Sequence, residues 1–332
     1  MNNWGFNTKR RADAPAEVAE RLRWLSENTR ALRDFAAPGV AREVLEAATS
    51  RLDGQRAAPD TVRKHRMLLS NAMDYAVELE LLDNSPIKAI KCRLPTTSTT
   101  RELDRRSVVN HRQARALLEA VKAQEPSGPR LVAFFALMYY SGLRPEEAIT
   151  VDRTAITLPP ATELNAWGEL HLTSAAPHAG SHWTNDGSLR ETRALKHRVK
   201  GESRPVPIPP QLVAILRTHL AEFPEGTEGR LFYGVRAETL PSTTYLQAWR
   251  AAPKTALTPR EQASPLARRP YDLRHACVST WLNAGASPTQ VAEWAGHGVD
   301  VLLKIYAKCV EGQDELAKRR IAAALAYEDD PT

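Results

Sequence analysis

Residues 269–282 read R-P-Y-D-L-R-H-A-C-V-S-T-W-L, residues 284–297 read A-G-A-S-P-T-Q-V-A-E-W-A-G-H, and residues 301–308 read V-L-L-K-I-Y-A-K. Each run has apolar residues at helical spacing, and each delivers one polar group. Arg274 lies in the polar run that opens the first. His297 follows Gly296 at the end of the second, where glycine commonly stops a helix. Tyr306 stands nine residues further on, between apolar neighbours of the third. An arginine at a helix entrance, a histidine on a turn and a tyrosine on a short helix can converge on one phosphate. Each also has a plainer reading: a surface arginine, a histidine that caps the preceding helix, a tyrosine in the core.

Upstream, residues 130–140 form a nearly all-apolar helical run that must be buried. It ends in S-G-L-R-P-E-E-A-I-T-V. Gly142 breaks the helix, Glu146 to Ile149 begin another, and Arg144 sits in the turn between them. A guanidinium at the mouth of a buried core is unfavourable without an anion. Glu147 offers one, and a bound phosphate would be another. Residues 193–209, R-A-L-K-H-R-V-K-G-E-S-R-P-V-P-I-P, carry five Lys or Arg and predict a strand, a K-G-E-S turn and a second strand before a helix over 211–220. A solvated basic hairpin is the alternative there. Further helices are expected over 111–122, with Ala114, Leu117, Leu118 and Val121 inward, and around 242–250. In the latter, Trp249 reads as core or, with Arg250, as a DNA contact. Short strands are expected within 156–173. The polar stretch 174–193 holds His178 and His182, but it is Gly-, Pro- and Ser-rich and has no suitably spaced third ligand. No metal site is expected, and no cofactor.

The first ninety residues predict three helices, over about 15–35, 38–52 and 60–82. The third has a stripe of Val62, Leu69, Ala72, Met73, Ala76 and Leu79, with Asp60 or Thr61 as N-cap. Its first turns carry Arg63, Lys64, His65 and Arg66. That cluster is either a solvated face or a set of phosphate contacts, which give affinity without sequence choice. A Thr-, Ser- and Arg-rich stretch without periodicity follows. The expected organisation is a helical domain over 1–95, a linker over 96–106 and a larger domain over 107–332. The fold class is mainly α with a small β-sheet (α+β).

The chain has 332 residues, a net charge of +6 and a pI near 9.3, which permits a polyanionic partner without proving one. Residues 101–310 hold an excess of +6, while the tail after Val310 has three basic and six acidic residues. Three scattered cysteines, Cys92, Cys277 and Cys309, read as reduced thiols in a cytosolic setting. The start lacks the apolar run of a signal peptide, and the best apolar run is about half of a membrane span. A soluble, cytoplasmic protein is expected.

G-L-R-x-x-E, the basic K-G-x-x-R-x-V-P segment, D-L-R-H, A-G-H and a tyrosine nine residues later follow one another over residues 107–310. In kind and order they resemble the boxes of the tyrosine recombinase (phage integrase) family. The resemblance implies a helical core-binding domain and a catalytic domain clamped on double-stranded DNA. Arg144 and Arg274 would grip the scissile phosphate, with Glu147 supporting the fold or orienting Arg144. Tyr306 would attack to give a 3′-phosphotyrosyl link, and His297 would bind the phosphate or assist proton transfer. Lys200, with Lys196 as the fallback, would protonate the departing 5′ oxygen. The implied assembly is a homotetramer on paired sites, with a monomer as the free form. The C-terminal helix, E-L-A-K-R-R-I-A-A-A-L-A-Y, would dock on a neighbouring protomer or on its own domain.

Such chemistry is coherent. Two arginines bind non-bridging oxygens bidentately and stabilise the developing charge, and a phosphotyrosyl link stores the bond energy. One residue departs from the family pattern: the second arginine box usually begins with histidine, and here that position is Tyr271. A phenol, with a pKa of about 10, is a poor base at neutral pH. Tyr271 is expected to line the site as a hydrogen-bond donor, with His275 pointing elsewhere. Two other readings remain open at this point: a type IB topoisomerase-like enzyme, and a DNA-binding protein with a degenerate site.

Overall fold

The structure is a computed structural model that describes residues 4, 14–91, 103–181, 184, 188–195, 201–234, 239–306 and 313–325. The chain divides into two compact units, Met1–Thr99 and Thr100–Thr332.

Unit 1 is helical: α1 (Ala16–Glu27), a 3-10 turn (Leu32–Ala36), α2 (Pro38–Thr49), α3 (Pro59–Glu78) and the short α4 (Pro86–Ala89). Proline opens three of these helices at N1, where its missing N–H is no loss. The expected cap of α3 at Asp60 or Thr61 is not used, because the helix begins at Pro59 and Ala58 is the N-cap. Ala41 and Leu45 of α2 meet Met73 and Ala76 of α3, with Leu82, Ile87 and Ile90 closing this small core.

Unit 2 is built around α6 (Gly128–Tyr140). Nearly every residue from Leu131 to Tyr139 is buried, as an apolar run without a polar face requires. Around it pack α5 (His111–Lys122), whose Asn110–Gln113 capping box sets its start, α8 (Pro210–Glu222) and α11 (Tyr271–Asn283). The four-residue α7 (Pro145–Ala148) follows α6 after the Ser141–Leu143 turn. Gly142 makes that turn at φ +63°, a left-handed conformation that favours glycine. Among the described residues the unit also holds helices α9 (Ser242–Ala256), α10 (Pro259–Ala263), α12 (Pro288–Ala295), α13 (Val299–Tyr306) and α14 (Gln313–Leu325). Trp249 on α9 is core, its indole N–H donating to the Ala267 carbonyl, while Arg250 is exposed.

The strands are β1 (Ile156–Thr157), β2 (Gly168–Leu172), β3 (Ser174–Ala175), β4 (Arg193–Ala194) and β5 (Arg204–Ile208), all antiparallel. The basic segment departs from the expected strand–turn–strand pairing. Its described flanks pair not with each other but with residues 168–175: Leu172 opposes Arg204, and Ser174 opposes Ala194. Residues 196–200, between those flanks, lie outside the described residues. Alternation along β5 turns Arg204, Val206 and Ile208 inward, so the pleat buries an arginine at the strand's end.

Of the expected linker 96–106, residues 96–102 lie outside the described residues. Leu103 is buried and its N–H donates to the Ile305 carbonyl, and Arg105–Ser107 form a 3-10 turn. The C-terminal helix α14 touches its own domain through Arg320, which donates to the Ala284 and Gly285 carbonyls, while Ile321 and Leu325 are exposed. No helix among the described residues is long and apolar enough to cross a membrane.

Candidate active site

Glu147 is the anchor. It is the N3 carboxylate in the first turn of α7, 1 % exposed, and its Oε2 accepts from the Arg144 backbone N–H at 2.8 Å. Three guanidinium groups reach it. Arg144 Nη1 donates to Oε1 at 2.7 Å, and Arg204 Nη1 donates to Oε1 at 3.0 Å. Arg204 Nη2 stands 2.9 Å from Oε2, and Arg274 Nη1 is 3.7 Å from Oε2. Burial alone would raise the carboxyl's pKa, but Arg204, Arg274 and Arg144 overrule it and hold it at about 2. Burial likewise works against the charge on Arg144, yet Glu147 and the Tyr271 phenol offset it, and the net direction is up. One carboxylate among three cations leaves a positive surplus in a largely buried site.

The second arginine is deeper. Arg274 is fully buried on the first turns of α11 and donates to the Gly142 and Ala295 carbonyls. Its Nη2 also lies 2.8 Å from His297 Nε2. Burial, then Arg144, lowers its pKa. Arg144 Nη2 donates to the next carbonyl along, Gly296, at 2.9 Å. The two arginines, 130 residues apart in sequence, thus share a carboxylate and two consecutive carbonyls. The α12 end supplies those carbonyls. Ser287 caps its start with Pro288 at N1, and Gly296 closes it in the left-handed conformation, with the His297 N–H returning to the Ala292 carbonyl. A Cβ on Gly296 would collide with Arg204 Nη1. Only a glycine lets α12 end against the buried guanidinium.

Tyr306 is the last residue of α13 and is fully buried. It packs with Val278, Leu282, Val291 and Leu302, so the core reading of this side chain is correct as far as its ring goes. Its hydroxyl is a different matter. It lies 2.8 Å from His275 Nδ1, and its ring stacks near His297 at 6.3 Å between centroids. Tyr271, on α11, lies edge-on to His275 at 5.1 Å, with the Arg274 guanidinium 6.0 Å from its own ring centroid. Both histidines are held neutral. Burial, then Arg274 and Arg269, pushes His275 down to about 4; burial, then Arg274 and Arg144, pushes His297 down to about 3.

Arg144, Tyr271, Arg274, His297 and Tyr306 therefore come together in one largely buried cluster. Lys200 and Lys196 lie outside the described residues. In unit 1, Lys64 is exposed, while Arg63 pairs with Asp60 at 3.0 Å. Arg66 departs from the expectation of a phosphate contact: its guanidinium donates inward to the Ile90 and Ile87 carbonyls at 2.7 and 3.3 Å, tying α3 to α4. Two residues were missed. Arg204 is the arginine of the K-G-x-x-R segment, and inward alternation along its strand was the available signal. His275 was set aside as pointing elsewhere; its spacing of four from Tyr271 puts both on one helix face. Among the described residues, no group of His, Cys, Asp and Glu could hold a metal ion.

No family model matches the chain, and no curated protein matches it in sequence. Solved structures do match. The integrase of the Tn1549 transposon, in complex with circular intermediate DNA, is 14 % identical with a TM-score of 0.57, over 96 % of this chain and 96 % of that one. The XerH site-specific recombinase, bound to a palindromic difH substrate in a post-cleavage complex, is 14 % identical with a TM-score of 0.57, over 92 % of this chain and 76 % of that one. At that identity the likeness speaks for architecture, and it extends over both units rather than one. The chain has the fold of the tyrosine recombinases and integrases.

Proposed function

We propose that this protein is a site-specific DNA recombinase of the integrase or excisionase type, cleaving and rejoining double-stranded DNA through a 3′-phosphotyrosyl intermediate. One observation carries the reading: in a recombinase fold, Arg144 and Arg274 meet on Glu147 with His297 and Tyr306 beside them. Two guanidinium groups with a positive surplus suit a phosphodiester, whose charge grows on its equatorial oxygens in the transition state. Arg144 keeps some solvent exposure and is the first to meet the phosphate. Arg274 and the Tyr306 hydroxyl are covered, so engagement requires α13 or the Arg274 side chain to shift. Tyr271 donates a hydrogen bond to the phosphate. Lys200, or Lys196, protonates the departing 5′ oxygen. Residues 1–95 form a DNA-binding clamp in which Lys64 and Arg63 meet phosphates, residues 96–106 link it to a catalytic domain over 107–332, and the working assembly is a homotetramer on paired sites. The protein works in the cytoplasm, on the nucleoid.

The test begins with selection of bound duplexes from a random pool, followed by nicked suicide versions of the selected site. The reading expects an SDS-resistant protein–DNA adduct that is absent in Tyr306→Phe. Binding without adduct would leave a DNA-binding protein with an idle site. Recombination between two selected sites separates a recombinase from a topoisomerase-like enzyme.

A further inference from the structure

Tyr306 must lose a proton when it attacks, and the residue best placed to take it is not the one at position 271. We propose that His275 is the general base for the Tyr306 nucleophile. The inference rests on the recombinase reading above and deepens it.

The geometry favours His275 over each neighbour. Its Nδ1 is 2.8 Å from the Tyr306 hydroxyl, within the range of a productive proton transfer. His297 faces the other way: its Nε2 lies against the Arg274 guanidinium at 2.8 Å, so that nitrogen is an acceptor and its proton sits on Nδ1. Taking a second proton there would break the contact with Arg274. Glu147 is held by three guanidinium groups and is an anion too stabilised to act as a base. Tyr271 is a phenol. On α11, however, positions 271 and 275 are one turn apart on the same face, and the two rings are in contact at 5.1 Å. A base moved from the first position to the second stays within reach of the same pocket.

The charge around His275 explains its timing. Burial and the nearby Arg274 and Arg269 hold it neutral, with its pKa at about 4. Neutral imidazole with its proton on Nε2 presents a lone pair at Nδ1 to the phenol. A phosphodiester between Arg144 and Arg274 offsets their field, and the imidazole becomes more basic when the substrate arrives. In the step itself, the Tyr306 Oη–P bond forms, the P–O5′ bond breaks, the phenol proton passes to His275 Nδ1, and the leaving 5′ oxygen takes a proton from the general acid. Rejoining reverses this: the imidazolium returns its proton to the Tyr306 oxygen as the 5′ hydroxyl attacks. No oxidant or further reactant is required.

Single-turnover adduct formation on the nicked selected duplex tests this in the full chain, with gel-shift affinity and a thermal melt as controls. His275→Asn keeps a polar atom near the Nδ1 position but cannot accept the proton; His275→Ala leaves room for added imidazole. Both should slow adduct formation by about 10²–10⁴-fold, with DNA affinity held within about threefold and with imidazole accelerating His275→Ala but not the unmodified protein. His275→Asn reacting at the unmodified rate overturns the proposal, as does a folded, DNA-binding His275→Ala that imidazole does not rescue. If His275→Ala does not fold, His275→Asn decides. A protein that forms no adduct on a duplex it binds loses the recombinase reading and this inference together. An adduct lost in Tyr306→Phe but undiminished in His275→Asn removes His275 alone.

Discussion

Glu147 stands where three guanidinium groups need a counter-charge, and its removal should be severe. Breaking a buried pair by deleting one partner costs about 3–5 kcal/mol because the other charge is stranded. Here three are stranded, so Glu147→Gln should lower the melting temperature sharply, and DNA binding should recover part of the loss. The same group predicts acid sensitivity. Its folded pKa is about 2, below the usual carboxylate value, so its contribution is complete above the unfolded value and is lost as pH falls through the folded one. His275 and His297, at about 4 and 3, act in the same direction from higher up: the unfolded chain binds their protons first. Thermal melts should therefore be flat from about pH 7 to about pH 8, fall on the acid side from about pH 6.5, and steepen below about pH 4.5. A melt that rises on acidification would contradict the neutral burial of both histidines. At this scale much was legible. Arg144, Arg274, His297 and Tyr306 were readable because each sits at a helix boundary marked by Gly142, Pro270, Gly296 or a short apolar repeat. Arg204 and His275 were not, since their importance lies in what they touch across 57 and 31 residues of sequence.

The element that sets the pocket is the end of α12. Gly296 gives the chain its left-handed turn, aims two carbonyls at two arginines and leaves space for a third. Gly296→Ala should cost about 1–2 kcal/mol in backbone strain alone and should also displace Arg204 from Glu147. Adduct formation should drop by more than the loss of stability explains, measured as rate per folded protein. An alanine that reacts normally would show that the close approach is dispensable. Helix positions and types were readable from apolar spacing because most helices here have one buried face, and α6 has no exposed one. The pairing of the basic segment was not. Its residues have the alternation of a hairpin, but the partner of both flanks is residues 168–175, and local pattern cannot say which of two strands a ladder will choose.

At the scale of the molecule, unit 2 contains its own core and all the described residues of the candidate site. A chain of residues 100–332 should fold alone and unfold in one cooperative transition, checked by circular dichroism and calorimetry. It should form adduct with the selected duplex only at higher protein concentration, because the phosphate contacts proposed for unit 1 would be gone and binding would lose part of its salt dependence. Failure of this piece to fold would mean that unit 1 completes its core. The cluster of one acid and three bases has a last consequence, for handling rather than catalysis. Anything small, tetrahedral and anionic that slips between Arg144 and Arg274 quiets a mutual repulsion built into the native state, and mass action then favours that state. Inorganic sulfate or vanadate should protect the protein against heat where an equal ionic strength of chloride does not, and the choice of buffer will decide how robust a preparation looks.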